Sequence, residues 1–154
     1  MKYDVIVLSG IPGSGKSRLA RKLKGATGET VSADDYFVGP DGQYRYIATE
    51  ISLAHDKCKR EFDRAIQSRR TPIIVDNTNT QVSDIEYYIV QGRAAGYDAR
   101  VIRVTADPAD AFARQTHDVP PEAFERLWTR FNQRNVLPDW HVETTDCSSA
   151  SVYF

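Results

Sequence analysis

The chain has 154 residues, of which 41% are hydrophobic and 27% are charged, and its formal net charge is −1. This length predicts one domain with a substantial core, and the near-neutral charge excludes an overall basic surface for nucleic acid, so such a contact requires a local patch. No apolar run has the length of a membrane span or a signal peptide, and the two distant cysteines fit no metal spacing. These features favour a cytoplasmic protein with reduced thiols and without a membrane partner.

Strand-like and helix-like segments alternate along the chain. Short apolar runs predict strands, and apolar residues spaced three or four apart predict helices. The predicted elements are strands at 3–9, 30–37, 71–77, 99–106 and 150–154, and helices at 16–24, 46–69, around 85–92, at 108–114 and from 124 to about 134. The alternation predicts an α/β fold with a mostly parallel central sheet, and it leaves the conformation of the tail, residues 135–154, open.

The segment GIPGSGKS, residues 10–17, matches the phosphate-binding pattern GxxxxGK[ST] at every fixed position. It lies between a predicted strand and a predicted helix, which is the context that this motif requires. Lys16 is expected to reach the β- and γ-phosphates, and the Ser17 hydroxyl to hold Mg²⁺. Backbone N–H groups of the loop would surround the phosphates, and the predicted cradle residues are Gly10, Pro12, Gly13, Ser14 and Gly15. The motif predicts binding of ATP or another nucleoside triphosphate, the alternative being a glycine-rich turn without a ligand.

Two carboxylates, Asp34 and Asp35, follow the predicted second strand. Ligands of open parallel sheets bind beyond the carboxyl ends of the strands, so a carboxylate there is placed to accept the proton of an attacking hydroxyl. Aspartate is also a common helix N-cap, and one of the pair has this alternative. We therefore predict a functional role for Asp34 more strongly than for Asp35.

The segment VDNTNTQ, residues 75–81, follows the strand predicted after the long helix. Asp76 ends that strand, where a carboxylate of Walker-B type holds Mg²⁺ through its water. Thr78 or Asn79 is expected to face the active cleft. A second interpretation, compatible with the first, is an Asx-turn that caps the next helix.

These motifs resemble, in the same order, those of the polynucleotide kinase branch of the P-loop phosphotransferases. The matching segments are GIPGSGKS, SADDYF, AHDKC, VDNTNTQ and RQTHDVPPE, and the resemblance covers about residues 4–131. The chain resembles the kinase domain of the bacteriophage 5′-hydroxyl polynucleotide kinase and, more closely, the P-loop domain of NEDD4-binding proteins. The resemblance implies a P-loop NTPase three-layer sandwich with a small helical lid, formed by one kinase domain over residues 1–154.

The resemblance also implies an activity and roles for three side chains. The activity is transfer of the γ-phosphate of ATP, with Mg²⁺, to the 5′-hydroxyl of RNA or DNA. Asp34 matches the general base of the family, Thr78 matches a residue on the acceptor side, and Arg114 matches the lid arginine that reaches the transferring phosphoryl group. The alternatives are a mononucleotide or small-molecule kinase, which the near-neutral charge favours, and a non-catalytic nucleotide switch.

One departure from the phage pattern concerns the acceptor. Phe37 stands where the phage enzyme has an arginine that contacts the acceptor phosphate, which leaves the binding mode of the acceptor open. Phe37 either stacks on a base or packs in the core, and we favour the core. No phosphatase or ligase sequence accompanies the kinase motifs, and the healing of ends would then need such partners.

Weaker signals come from the last predicted helix and from two loops. Arg126 and Arg130 recur four residues apart beside the apolar face of that helix, with Arg134 continuing the row. They are candidates for tracking a nucleic-acid backbone, the alternative being a solvated charged face. His117 lies in the predicted lid loop and is a candidate phosphate contact, whereas Tyr44 is expected only to anchor its own loop.

Overall fold

The structure is a computed structural model that describes residues 2–148. The five strands in this range are β1 (Asp4–Ser9), β2 (Glu29–Val31), β3 (Ile73–Asp76), β4 (Asp98–Thr105) and β5 (His141–Asp146). The α-helices are α1 (Lys16–Lys24), α2 (Ile51–Gln67), α3 (Val82–Ala94), α4 (Pro108–Arg114) and α5 (Pro121–Asn132), and short 3₁₀ helices cover Ala33–Phe37 and Ala48–Glu50. The strand predicted at 150–154 lies outside the described residues.

The strands form one sheet in the order β2-β3-β1-β4-β5, and every strand pair in the described chain is parallel. β1 lies in the middle, and its register with β3 brings Leu8 beside Asp76. Because parallel strands end at the same edge, this register places the loop after β1 next to the loop after β3. The prediction of an α/β fold with a mostly parallel sheet is confirmed.

Helices cover both faces of the sheet and produce three layers. Alternate residues of β1 point to opposite faces, as strand geometry requires. One face packs against α2 and α3 through Val5, Val7, Cys58, Phe62, Tyr88 and Ile89. The other packs against α1 through Ile6, Leu8, Leu19, Ala20 and Ile102. A third cluster joins the loop after β1 to α4 and α5 through Ile11, Ala111, Phe124 and Phe131. The three-layer sandwich is therefore confirmed.

The structure corrects the predicted elements at three places. β2 ends at Val31, and Asp34 lies in the following 3₁₀ helix, whose first turn is capped by the Ser32 hydroxyl accepting from the Asp34 N–H at 3.2 Å. The long helix begins at Ile51 rather than Tyr46, because backbone bonds such as Arg45 N–H to the Phe37 carbonyl, at 2.9 Å, hold the preceding segment in a loop.

The third correction is β5, at the far edge of the sheet, in the tail that the sequence left open. Its sequence HVETTD is largely exposed, with only Val142 and Thr145 partly buried, and lacks the apolar run of β1, β3 and β4. Both cysteines, Cys58 and Cys147, are buried. Among residues 2–148, no helix is long and apolar enough to cross a bilayer.

Candidate functional site

The loop between β1 and α1 has the backbone geometry of a phosphate cradle. Gly13 and Gly15 have φ angles of +78° and +102°, a region that residues with a Cβ rarely adopt. A Cβ on Gly13 would lie 1.9 Å from the Ala111 carbonyl oxygen, so α4 packs directly against the loop. α1 begins at Lys16 without a side-chain cap, which leaves its first N–H groups and its positive dipole end facing the loop.

Lys16 lies inside this loop, with only 8% of the residue exposed. Its Nζ donates a hydrogen bond of 2.9 Å to the Ile11 carbonyl across the loop. Burial lowers the pKa of Lys16, while the negative charges of Asp76 and Asp34 oppose that shift. Lys16 is also the first residue of α1, so its ammonium and the free N–H groups of that helix are suited to bind an anion together, which is the role predicted for Lys16.

Ser17 and Asp76 form a pair at the carboxyl edge of the sheet. The Ser17 hydroxyl donates to Asp76 Oδ2 at 2.9 Å, and burial raises the pKa of Asp76 against the opposing effects of Lys16 and Ser17. No group of three or more His, Cys, Asp or Glu side chains suited to a metal occurs in residues 2–148. A hydroxyl and one carboxylate nevertheless fit Mg²⁺, which keeps most of its ligands as water and phosphate oxygens.

The loop after β3 is tied to β1 by a buried polar network. Gly10 N–H donates to the Thr78 carbonyl at 2.9 Å, and the Asn79 side-chain Nδ2 donates to the Leu8 carbonyl at 2.7 Å. Ser9 Oγ donates to the Asn79 carbonyl at 2.8 Å and accepts from Asn135 Nδ2 at 2.9 Å. Asn79 has a φ of +47°. Thus its amide nitrogen serves the scaffold, and both Asn79 and Thr78 line the cavity described below.

Asn135 is a buried site-supporting residue that the sequence does not reveal. It is 1% exposed, and it follows the end of α5 in a segment without a periodic pattern. Arg103 from β4 donates to its Oδ1 and, at 2.9 Å, to the Phe131 carbonyl. Only the folded chain brings these groups together, since Ser9 and Asn135 are 126 positions apart.

Asp34 is contacted by side chains from two separate loops. Tyr44 donates its hydroxyl to Asp34 Oδ1 at 3.4 Å, and His117 Nδ1 lies 3.5 Å from Asp34 Oδ2. The two rings stack, with centroids 4.0 Å apart and planes 9° apart. Burial first, and then the charge and hydrogen bond of Asp34, raise the pKa of Tyr44 well above its usual range, so the phenol remains a neutral donor.

The other members of the carboxylate segment lie outside the cavity. Asp35 is exposed and does not line it, and Phe37 is 5% exposed and packs in the core. Arg114 does not line the cavity either. Its Nε donates to the Gly13 carbonyl at 3.2 Å, which holds the guanidinium against the phosphate loop.

One cavity of about 510 Å³ joins most of the predicted site residues. It is lined at one end by Pro12, Gly13, Lys16, Ser17 and Asp76, and further along by Asp34, Tyr44, Tyr46, Ile51, His55, Thr78, Asn79, His117, Arg126 and Arg130. A second cavity of about 470 Å³ shares Thr80, Gln81 and Arg130 with it and is also lined by Arg134. The structure thus places a cradle of phosphate-loop type, a carboxylate and exposed arginines along one continuous depression.

A comparison with known protein families assigns the chain to one of them. A family described as an AAA domain (AAA_33) matches residues 5–133, which is most of the chain. The chain belongs to this AAA-domain family. It is also similar to human NEDD4-binding protein 2, with 31% identity over 142 residues, covering 87% of this chain and 8% of that protein. The chain therefore spans only a small part of that relative.

Solved structures share the fold at low identity. A chain of the Pnkp1/Rnl/Hen1 RNA repair complex has a TM-score of 0.67 and 19% identity, covering 84% of this chain and 44% of that one. A sugar kinase from Janibacter has a TM-score of 0.60 and 15% identity, covering 95% of this chain and 86% of that one. The fold is thus the P-loop kinase fold, and it leaves the acceptor open.

Proposed function

We propose that this chain transfers the γ-phosphate of ATP to the 5′-hydroxyl of RNA or DNA. The observation that carries the proposal is the single cavity in which the Lys16 loop, the Ser17–Asp76 pair and Asp34 meet. A donor site and a carboxylate in one cavity are the minimum that transfer to a hydroxyl needs. A non-catalytic switch has no use for that carboxylate.

The residues divide into donor and acceptor groups. Lys16 and the N–H groups at the start of α1 would bind the β- and γ-phosphates, and Ser17 and Asp76 would hold Mg²⁺, which neutralises phosphate charge when it is bound. Asp34 would orient the acceptor hydroxyl and take its proton. Arg114, beside Gly13, is close enough to the loop to stabilise the transferring group after a change of rotamer.

The polynucleotide form of the acceptor is supported by charge and shape. Arg126 and Arg130 are exposed, line the cavity, and have no carboxylate within 4.0 Å among the described residues. The neighbouring cavity continues past Arg130 to Arg134, so phosphates 3′ of the reacting hydroxyl have a cationic path. Tyr46, at 55% exposure, adds an aromatic surface on which a base can stack.

The second candidate is a kinase for a small molecule or a mononucleotide. Two observations favour it: the net charge of −1, and a cavity of about 510 Å³, which is an ordinary size for a small-ligand site. The likeness to a sugar kinase structure is compatible with it as well.

Under the first proposal, a phosphatase or a ligase that processes the same nucleic-acid ends would be the natural partner.

One assay separates the two candidates. Radiolabelled γ-phosphate transfer from ATP would be measured with 5′-hydroxyl oligonucleotides of RNA and DNA, nucleoside 3′-monophosphates, and sugars. We expect the oligonucleotides to be labelled with the highest kcat/KM, and labelling to depend on Asp34. Labelling of sugars or mononucleotides with oligonucleotides unlabelled would refute the proposal in favour of the second candidate.

A further inference from the structure

The stacked rings of Tyr44 and His117 line the cavity beside Asp34, and each ring comes from a different loop. Tyr44 lies between the 3₁₀ helix Ala33–Phe37 and α2, and His117 lies between α4 and α5. The rings are nearly parallel and their centroids are 4.0 Å apart, which is direct contact. Each ring also approaches a different oxygen of the same carboxylate. Two neighbouring segments and one distant segment therefore meet at one carboxylate.

Both loops are held in place by their own hydrogen bonds. Tyr44 forms an antiparallel bridge with Val38. Gln115 spans the other loop, since its Oε1 accepts from the Val119 N–H at 2.8 Å and its Nε2 donates to the Val119 carbonyl at 3.0 Å. His117 is thus presented from the middle of a short, closed segment. Such mounting reduces the motion of the two rings relative to Asp34.

We propose that Tyr44 and His117 are positioning residues for Asp34, fixing which carboxylate oxygen meets the acceptor hydroxyl. The Tyr44 hydroxyl donates to Oδ1 over a long distance of 3.4 Å, and we assign the acceptor proton to the other oxygen, Oδ2. His117 Nδ1 is 3.5 Å from Oδ2, beyond the usual length of an N–H to oxygen hydrogen bond, and leaves that oxygen able to accept. This inference rests on the proposed role of Asp34 as the base.

In this arrangement the acceptor oxygen forms a bond to the γ-phosphorus while the bond from that phosphorus to the β,γ-bridging oxygen breaks. The acceptor proton passes to Asp34 Oδ2, and the products are the phosphorylated acceptor and ADP. The rings take no proton in this step. They act by holding the carboxylate.

The test compares Tyr44→Phe, which removes the hydroxyl and keeps the ring, with His117→Ala, which removes the stack. We expect each to lower the single-turnover rate about tenfold while the KM for ATP is unchanged, because misorientation of a reacting group acts on the chemical step. Neither should have a further effect when combined with Asp34→Asn. The matched control is Tyr87→Phe, because Tyr87 does not line the cavity. Its hydroxyl donates to the two carboxylate oxygens of Asp63 at 2.8 and 2.7 Å, and loss of these hydrogen bonds should leave the rate unchanged.

The same variants are measured for ATP hydrolysis, in which water replaces the acceptor, so the comparison does not depend on the acceptor's identity. If Asp34→Asn keeps the full rate, the role of Asp34 as base fails and this inference fails with it. If Asp34→Asn is inactive while Tyr44→Phe and His117→Ala react normally, only this inference is refuted. Effects that persist in the Asp34→Asn background would also overturn it, since the rings would then act elsewhere.

A readout without turnover tests the geometry itself. A ring stacked on Tyr44 should give His117 proton resonances shifted upfield in the NMR spectrum, assigned by their loss in His117→Ala. We expect Tyr44→Phe to keep that shift and Tyr44→Ala to abolish it. Resonances unaffected by Tyr44→Ala would show that the rings do not stack in solution, and the proposal would be withdrawn.

Discussion

Replacing Gly13 with alanine tests whether the phosphate loop is held by direct packing against α4. Gly13→Ala has two costs: the positive φ of +78°, about 1–2 kcal/mol for a residue with a Cβ, and the overlap of that Cβ with the Ala111 carbonyl. The separation of 1.9 Å involves backbone on both sides, so no rotamer change relieves it and the loop or α4 must move. Overpacking of this kind adds about 1–3 kcal/mol. The expected destabilisation is therefore about 2–5 kcal/mol.

Gly96→Ala is the matched control, because Gly96 has a similar φ of +85° and nothing within 4 Å of the Cβ it would gain. It has only the conformational cost, about 1–2 kcal/mol. Urea unfolding of both variants and calorimetric titration with ATP give the comparison. We expect Gly13→Ala to be the less stable variant by about 1–3 kcal/mol and to lose ATP binding, with Gly96→Ala binding normally. Equal destabilisation and equal binding would refute the packing argument.

Three further predictions concern the chemistry. Lys16→Ala should abolish turnover, and Ser17→Ala should raise the Mg²⁺ concentration needed for half-maximal rate, because both side chains belong to the proposed donor site. Full activity of Lys16→Ala in a transfer assay would contradict that site. Asp34→Asn should lower kcat by about 10²–10⁴-fold with ATP binding retained. Asp35 lies outside the cavity, so Asp35→Asn should lower kcat far less. Single-turnover rates in the opposite order would move the base to Asp35. Oligonucleotide binding weakens as salt rises, and the slope of log K against log salt concentration measures how many phosphates the protein neutralises. Arg126→Gln combined with Arg130→Gln should reduce the magnitude of this slope by about 0.7 for each phosphate that is no longer neutralised, or about 1.4 for two. The control Arg60→Gln with Arg64→Gln removes the same charge at the same spacing from exposed positions of α2, and an equal change of slope there would assign the effect to net charge.

The donor half of the site can be predicted because local sequence determines it. Gly15 at the N-cap and Lys16 as the first residue of α1 follow from the motif, and α1 spans the predicted residues 16–24. Helix α4 has its predicted bounds as well, since Pro108 at its first position and the Asp107 side chain, which accepts from the Asp110 N–H, define its start. In each case, residues within a few positions of one another fix the conformation.

The acceptor half cannot be predicted to the same degree, because it depends on contacts between distant segments. The pairing of Tyr44 with His117 joins two loops with no periodic pattern, and the Ser9–Asn135 hydrogen bond spans most of the chain. β5 was not predicted from the sequence, and the reason is the small number of apolar residues that an edge strand requires. An edge strand with one paired side and a largely exposed surface needs few apolar residues, and HVETTD has only Val142 as an aliphatic residue.

This division between the two halves explains why the acceptor must be settled by experiment on this chain. The phosphate cradle is made of backbone N–H groups at the ends of a strand and a helix, and this geometry follows from the fold whatever the acceptor is. In the proposed function, recognition of the acceptor falls to exposed side chains at the cavity, Arg126 and Arg130 on α5. Exchanging those side chains would change the substrate without disturbing Lys16 or Asp76. Variants of Arg126 and Arg130 therefore test the proposed acceptor, variants of Tyr44 and His117 test the positioning of Asp34, and variants of the phosphate loop report only on the donor.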